Sequence, residues 1–400
     1  MEKKLNFGIV GTGLRGIGCF GHHLKERSDC VIRAVCDLNE VRAKLMAEKL
    51  GSPKVYTDLD EMLNKEKLDA VIITTPDAFH EECAVRALKH KVNVLIDKPL
   101  ATSVKGCQNI IKEAKKSKKV AMIGFNLRHA PLLLKLKSII DEGVLGKIFL
   151  AENREFYDGG RTYMARWNGK KSSSGGLWIH KGSHDFDIFN WLFGFPKPYK
   201  VTAFAGMNVF TPEGFPFPLE KGIKPGPCCS ECHYAKNGVC KDAATYDGAE
   251  WGKAAQKVDG YVKDSCMYLS DLSVHDNGIA MVEYENGVRA SHMECFVTGM
   301  SDRLYTIVGT LGQASLSLSG RTITVIKRWT REKITYEIPE VSGGHAGADP
   351  GLVESFIQTI RGKETNTSTF EQGMLSTAIG QAAELSRAEN RVVFIKELLK

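Results

Sequence analysis

The stretch Gly8-Ile-Val-Gly-Thr-Gly-Leu-Arg-Gly16 closes an apolar, strand-like run that begins at Leu5. It contains G-x-G-x-x-G at Gly11, Gly13 and Gly16, and a second β-rich run, Val31 to Cys36, ends on Asp37. A dinucleotide-binding βαβ unit needs this order of strand, glycines, helix, strand and acid. The first glycine allows the tight turn, the second lets backbone approach a pyrophosphate, and the third permits close helix–strand packing. The free N–H groups of the helix start then face the anion. Thr12, Leu14 and Arg15 complete the expected phosphate-binding turn, and the Asp37 carboxylate can take the ribose hydroxyls. That carboxylate repels a 2′-phosphate and so favours NAD over NADP, although Arg42, one helical turn away, softens the choice.

The same grammar continues to about residue 124. Apolar runs at Leu5–Val10, Val31–Cys36, Ala70–Thr74, Val92–Ile96 and Val120–Gly124 read as strands. Helical stretches lie between them at Gly13–Ser28, Glu40–Leu50, Ala78–Lys89 and Ser103–Lys116. Strands alternating with helices predict an α/β, Rossmann-type, doubly wound parallel sheet over residues 1–124. Residues 125–400 follow a different pattern. A helix at Pro131–Glu142, a strand at Lys147–Phe156 and a helix at Leu177–Phe193 lead into a series of strands between Tyr199 and Ile338. Two helices, Pro350–Arg361 and Phe370–Arg387, close the chain and are placed to pack back on the first sheet. This half predicts an α+β domain with a large, mainly antiparallel, open-faced sheet. Residues 211–270, rich in Gly, Pro and Cys, read as an insertion held by something other than a large core.

Four hundred residues, 43% of them hydrophobic, suffice for a substantial core, and a net charge of +7 is modest for that length. No basic stripe interleaved with aromatics points to nucleic acid, and no apolar run reaches the ~18 residues of a membrane span. Met1-Glu-Lys-Lys-Leu5 leads straight into the first strand without a signal-peptide pattern, so a cytoplasmic protein is expected. Its eleven cysteines should then be reduced, metal-bound or buried.

Two features fall at the carboxyl ends of parallel strands, where such sheets bind ligands. One is the turn Thr74-Thr-Pro-Asp-Ala-Phe-His80, whose Thr75, Pro76 and His80 border the nucleotide crevice; the other is Asp97-Lys-Pro99. Lys98 is placed to bind a substrate hydroxyl and to stabilise the charge that develops as its proton leaves. On the helix Leu177–Phe193, His180, His184 and Asp187 stand at i, i+4 and i+7 and so share one face. A histidine there can accept a proton as hydride leaves the same carbon.

Taken together, Gly11-Thr-Gly-Leu-Arg-Gly16, Pro76 with His80, Asp97-Lys-Pro99, Gly124-Phe-Asn-Leu-Arg128 and the helix from Gly175 to His184 resemble the glucose–fructose oxidoreductase/inositol dehydrogenase (Gfo/Idh/MocA) family over nearly the whole chain. The resemblance implies an NAD(P)-dependent oxidoreductase of sugars or cyclitols that forms a dimer or tetramer through the open-faced sheet. It makes Lys98 the catalytic, substrate-binding lysine and His184 the general acid/base. It puts Asp97 beside the cofactor, and Asn126 and Arg128 on the substrate cleft. One position departs: where the family commonly has aspartate, this chain has His180, which either replaces it as a substrate ligand or takes over proton transfer. The segment Gly343–Asp349 reads equally as a glycine loop before a helix or as a loop that brings His345 and Asp349 to the sugar.

Cys229-x-x-Cys232, with Cys240 and Cys266, supplies four thiols for a structural zinc that would order the insertion; the alternative is reduced thiols. For the reaction, net hydride transfer at a secondary hydroxyl leads. Its rivals are an NAD-dependent glycosidase or lyase, working by transient oxidation, elimination and re-reduction, and a non-catalytic cofactor-binding regulator.

Overall fold

Six parallel strands carry the first half of the molecule: β1 Leu5–Val10, β2 Cys30–Cys36, β3 Lys54–Tyr56, β4 Ala70–Ile73, β5 Asn93–Asp97 and β6 Ala121–Gly124. They lie in the order β3-β2-β1-β4-β5-β6. The chain reverses direction across the sheet between β1 and β4, and a crevice opens at their carboxyl ends. β4 is buried along its whole length, as a strand covered by helices on both faces must be. This computed structural model describes residues 3–244, 249–341 and 344–399, with the side chains at 249–251 and 344–346 outside that description.

The expected strands form with ends displaced by a residue or two, and β3, a three-residue edge strand, is an addition. Side chains fix the helix starts: Asn39, Asp58 and Ser103 each accept a backbone N–H in the first turn, the second of these in a helix, Leu59–Lys65, that was not expected. The helix expected from Gly13 differs. It is a π-type turn over Arg15–Gly21 running into a single helical turn, His22–Lys25. Gly16, Gly18 and Gly21 leave that segment without the side chains that would stiffen a regular helix.

A nine-stranded sheet follows: β7 Ile148–Phe156, β8 Pro198–Gly206, β9 Asn277–Tyr284, β10 Arg289–Cys295, β11 Asp302–Gly309, β12 Gly312–Ser317, β13 Thr322–Lys327, β14 Lys333–Glu337 and the short β15 Val393–Phe394. Its order is β14-β13-β12-β11-β7-β10-β9-β8-β15. Only β7 and β10 pair in parallel; every other pairing is antiparallel. Inward residues alternate with outward ones, and the helices Pro131–Asp141, Ser183–Leu192 and Phe370–Glu389 cover one face. The other face leaves Phe204, Ile279, Met281 and Leu150 exposed.

The final helices tie the two sheets together. Gly344–Ile360 sets Leu352, Val353, Phe356 and Ile357 among Phe7, Ile9 and Phe20 under the parallel sheet. It begins earlier than expected, so Pro350 lies inside it. Arg128, just past β6, forks onto Asp187 at 2.8 and 2.5 Å and also donates to Gln372 at 2.8 Å. Both charged partners are buried. Burial pushes the Asp187 carboxyl up, and Arg128 opposes the shift.

Residues 211–270 have their own order. Phe210, Phe215, Cys266, Met267 and Tyr268 pack with Met164, Leu177 and Phe296 in a small apolar cluster. Tyr234 Oη donates to Ile223 O and accepts from Glu220 N–H, while Tyr268 Oη donates to Asp242. The expected zinc site is a correction. Among the described residues no group of three or more His, Cys, Asp or Glu is placed to hold a metal ion. Cys229 Sγ accepts the Ala244 N–H at 3.3 Å, and burial pushes its thiol up to about 12. Cys232, Cys240 and Cys266 are free thiols, and burial raises those of Cys240 and Cys266.

Replacing Arg128 by leucine strands the buried Asp187 charge and is expected to cost about 3–5 kcal/mol. The double variant Arg128→Leu/Asp187→Leu should recover most of that in urea denaturation. Equal losses in the single and double variants would show that packing, not the charge pair, carries the effect.

Candidate active site

The glycine turn lies where β1 meets the crevice. Gly11 adopts φ +89°, and a Cβ on it would stand 2.6 Å from Thr75 N, so no other residue fits. A Cβ on Gly16 would stand 2.4 Å from Gly11 O, whereas one on Gly13 would meet nothing within 4 Å. The first and third glycines are therefore demanded by packing, and the second faces open space where an anion can reach the backbone. Asp37 binds this turn directly: its Oδ2 accepts Thr12 N–H at 2.8 Å and Thr12 Oγ1–H at 2.5 Å. Leu14 is exposed beside the turn. These residues fit a dinucleotide, with the pyrophosphate against Gly13 and a ribose at Asp37.

Arg15 turns away from the phosphate position. Its guanidinium forks onto Asp97 at 2.7 and 2.8 Å and lies 3.5 Å from Asp349. Burial alone would raise the Asp97 carboxyl, but Arg15 overrides it and the net shift is downward. Asn126 Nδ2 donates to the same Asp349 at 2.6 Å. Arg15, Asp97, Asp349 and Asn126 thus form one connected polar strut, in which a single guanidinium serves two carboxylates. Arg128, expected on the substrate cleft, is spent instead on Asp187 and Gln372 as described above. The side chain of His345 lies outside the described residues.

The turns after β4 and β5 are joined by His80, whose ring nitrogens lie 2.7 Å from Pro99 O and 3.0 Å from Thr75 O. Beside it Lys98 is buried and donates to His180 O at 2.8 Å. Burial lowers the Lys98 ammonium to about 8, against the pull of Asp77 and Asp97. Asp77 is buried too, and burial raises its carboxyl to about 7 while His80 and Lys98 oppose. Its Oδ2 lies 2.6 Å from His180 Nδ1, and Asn168 Nδ2 lies 2.9 Å from His180 Nε2. Since the amide nitrogen can only donate, His180 Nε2 accepts and the ring proton lies on Nδ1, facing Asp77. Burial, Lys98 and Lys181 push His180 well below its ordinary value, which keeps the imidazole neutral. Tyr163 and Trp167 place ring edges against it, with centroids at 5.6 and 5.2 Å.

The expected single helix is broken in two, Leu177–His180 and Ser183–Leu192. Both Lys181 N–H and Gly182 N–H bond Leu177 O, at 2.8 and 2.9 Å. The five-residue reach of the second bond inserts an extra residue into the turn. Gly182 makes it feasible, because a Cβ there would stand 2.8 Å from Trp178 O. The break disperses the expected stripe: His180 meets Asp77 of the parallel sheet and Asp187 meets Arg128, while His184 is buried in the first turn after the bulge. Asp77 and Asn168 are the residues that sequence reasoning missed. Asp77 stood inside a quoted turn but read as a helix start, and Asn168 lies in a segment without periodicity.

Comparison with known proteins agrees with this architecture. A family model described as "Oxidoreductase family, NAD-binding Rossmann fold" matches residues 5–125, and one described as "Oxidoreductase family, C-terminal alpha/beta domain" matches residues 137–395. The chain is 28% identical over 425 residues to YteT of Bacillus subtilis (strain 168), itself named only as a candidate oxidoreductase, with 99% of each protein covered. It is 29% identical to the myo-inositol 2-dehydrogenase of Thermotoga maritima over 192 residues, 48% of this chain and 55% of that protein. The solved structure of levoglucosan dehydrogenase, in complex with NADH and levoglucosan, has a TM-score of 0.75 at 19% identity, covering 98% of this chain and 100% of that one. That likeness is one of fold.

The glycine geometry separates binding from folding. Gly13→Ala should leave the melting temperature unchanged and weaken NADH binding at least tenfold, by fluorescence titration. Gly16→Ala should instead lower the melting temperature, at a cost of about 1–3 kcal/mol for the forced overpacking. A Gly13→Ala variant that binds NADH normally would remove the pyrophosphate from this turn.

Proposed function

Because the chain belongs to the Gfo/Idh/MocA oxidoreductase family through both of its halves, we propose that it is an NAD-dependent dehydrogenase acting on a secondary hydroxyl of a sugar or cyclitol. The observation that carries this reading is the buried cluster at the carboxyl ends of β4 and β5. There a lysine of lowered pKa, a buried carboxylate and a neutral histidine stand beside a turn shaped for a dinucleotide. The nicotinamide, when bound, supplies the hydride acceptor. Lys98 Nζ binds the substrate oxygen and stabilises the charge that grows on it. His184 takes the hydroxyl proton as the C–H bond on the same carbon breaks.

His180 then has a positioning part. Its ring is occupied on both sides, by Asp77 and Asn168, and its carbonyl oxygen orients Lys98. Of the two roles open to it in the sequence, neither substrate ligand nor proton carrier suits a ring so engaged. The dehydrogenases among the relatives and neighbours, named for myo-inositol and levoglucosan, point to the proposed substrate class.

The purified enzyme, given NAD and a panel of sugars and cyclitols, should form NADH in proportion to ketone. Lys98→Ala and His184→Asn should each lower kcat/KM by roughly 10²–10⁴. Product formed without net NADH would replace this reading with a redox-neutral elimination, and full activity in His184→Asn would remove that residue from proton transfer. The pH profile supplies a sign. Lys98 must be protonated to act, so activity should fall as pH rises through about 8. Asp77 is one of the charges that raise this pKa, so Asp77→Asn should move that alkaline limb to lower pH.

The exposed apolar face of the nine-stranded sheet is proposed to cover itself with further copies of the chain. Light scattering should give the mass of a dimer or tetramer, and a monomer at micromolar concentration would contradict it.

A further inference from the structure

The helix Ala249–Asp259, inside the insertion, lies against the helix Glu40–Lys49 that begins just after Asp37. Three polar contacts hold the two together. Asn39 Nδ2 donates to Ala255 O at 2.8 Å and to Asp259 Oδ2 at 2.7 Å, and Arg42 Nη2 lies 2.7 Å from the same Asp259 oxygen. The other arm of the Arg42 guanidinium is 3.4 Å from Asp37 Oδ1. Asp259 is itself fixed, since its Oδ1 accepts the Tyr261 N–H at 3.0 Å. Arg42 is therefore gripped between two carboxylates, one from the Rossmann sheet and one from a segment more than two hundred residues further along the chain.

This arrangement bears on the choice between NAD and NADP. The two cofactors differ only by a phosphate on the ribose 2′-oxygen, the hydroxyl an acid at the end of the second strand recognises. A nearby arginine is what usually accommodates that phosphate. Arg42 has the right place in sequence and space, but Asp37, Arg42 and Asp259 together carry one net negative charge. A 2′-phosphate arriving there meets two carboxylates and a cation whose fork is already engaged.

We propose that Asp259 is a cofactor-specificity residue: by holding Arg42, the insertion denies a 2′-phosphate its cation and makes the enzyme selective for NAD. The inference rests on the reading that the Gly11–Gly16 turn binds a nicotinamide dinucleotide. It also gives the insertion a purpose, because selectivity set by Asp37 alone would be softened by a free Arg42.

Equilibrium titration of NADH and NADPH into the full chain, followed by nicotinamide fluorescence, tests it without any turnover. The wild type should bind NADH far more tightly than NADPH. Asp259→Asn keeps the shape, removes the charge and frees Arg42 for a charge-assisted bond to phosphate, so NADPH binding should tighten about tenfold while NADH binding stays within about twofold. Asp37 still repels the phosphate, so preference narrows without reversing. Adding Arg42→Ala to that variant should abolish the gain. NADPH affinity unchanged in Asp259→Asn, or a gain that survives loss of Arg42, overturns the inference while leaving the dinucleotide site standing. A wild type that prefers NADPH also overturns it. A wild type that binds neither nucleotide overturns the dinucleotide reading and this inference with it. Matching melting curves for the three proteins establish that the comparison is between folded chains.

Discussion

One short contact, from Asp77 Oδ2 to His180 Nδ1 at 2.6 Å, joins the two halves of the molecule where the proposed chemistry happens. Asp77 comes from the turn after β4 and His180 from the first segment of the broken helix. Each would be costly alone: an ionised carboxyl buried without a partner must either protonate or unfold its surroundings. Each supplies what the other lacks, and the histidine passes the constraint on. Its carbonyl oxygen receives Lys98 and its Nε2 receives Asn168, so one residue, by ring and carbonyl, fixes three side chains from three other segments. The resemblance implied an aspartate where His180 stands. In this chain the residue at that place is itself met by a carboxyl, that of Asp77, delivered from the Rossmann side.

Beneath the broken helix lies a second polar layer, contributed by the nine-stranded sheet. Lys181 pairs with Glu155 at 2.8 Å, Arg303 with Asp185 at 3.0 Å, and Tyr305 Oη donates to Asp185. Deeper still, Glu294 accepts from His275 and lies 3.2 Å from His292, and all three are fully buried. Burial would raise the Glu294 carboxyl, yet the two histidines hold it down to about 2. Such networks contribute little net stability compared with an apolar core of equal volume, and they punish any displacement that leaves a member unpaired. That is the property a positioning floor needs. The bulge at Gly182 sits directly on this layer, since Lys181 on one side and Asp185 on the other are both anchored in it.

Most of the fold was legible because its determinants are local. Strand alternation, the glycine spacing and helix-capping residues such as Asn39 and Ser103 each act within a few residues, and the strands they imply form almost where expected. The site was legible in part. Gly11, Asp37, Lys98, His180 and His184 lie at strand ends or on the expected helix, positions that topology alone makes available. What could not be read are partnerships between distant segments. Arg128 looks like a cleft residue until its fork is seen on Asp187, and Arg15 looks like a phosphate ligand until it is seen on Asp97. The zinc reading finds no support for a related reason: CxxC spacing is visible, but the apolar cluster around Tyr268 that packs part of the insertion is assembled from residues as far apart as Met164 and Phe296.

The segment from Tyr157 to Tyr268 is where these distant partnerships concentrate, and it reaches both ends of the crevice. Its first part carries Tyr163, Trp167 and Asn168 to His180; its last part carries Asp259 to Asn39 and Arg42. The two parts are stitched together, because Ser265 N–H bonds Ala165 O at 3.3 Å. Parts joined in this way resist moving independently. In the proposed enzyme, the residues that receive the substrate and those that grip the cofactor's ribose are therefore parts of one body. On this reading the Rossmann sheet supplies the general address for a dinucleotide, and the insertion side is where its particulars would be set.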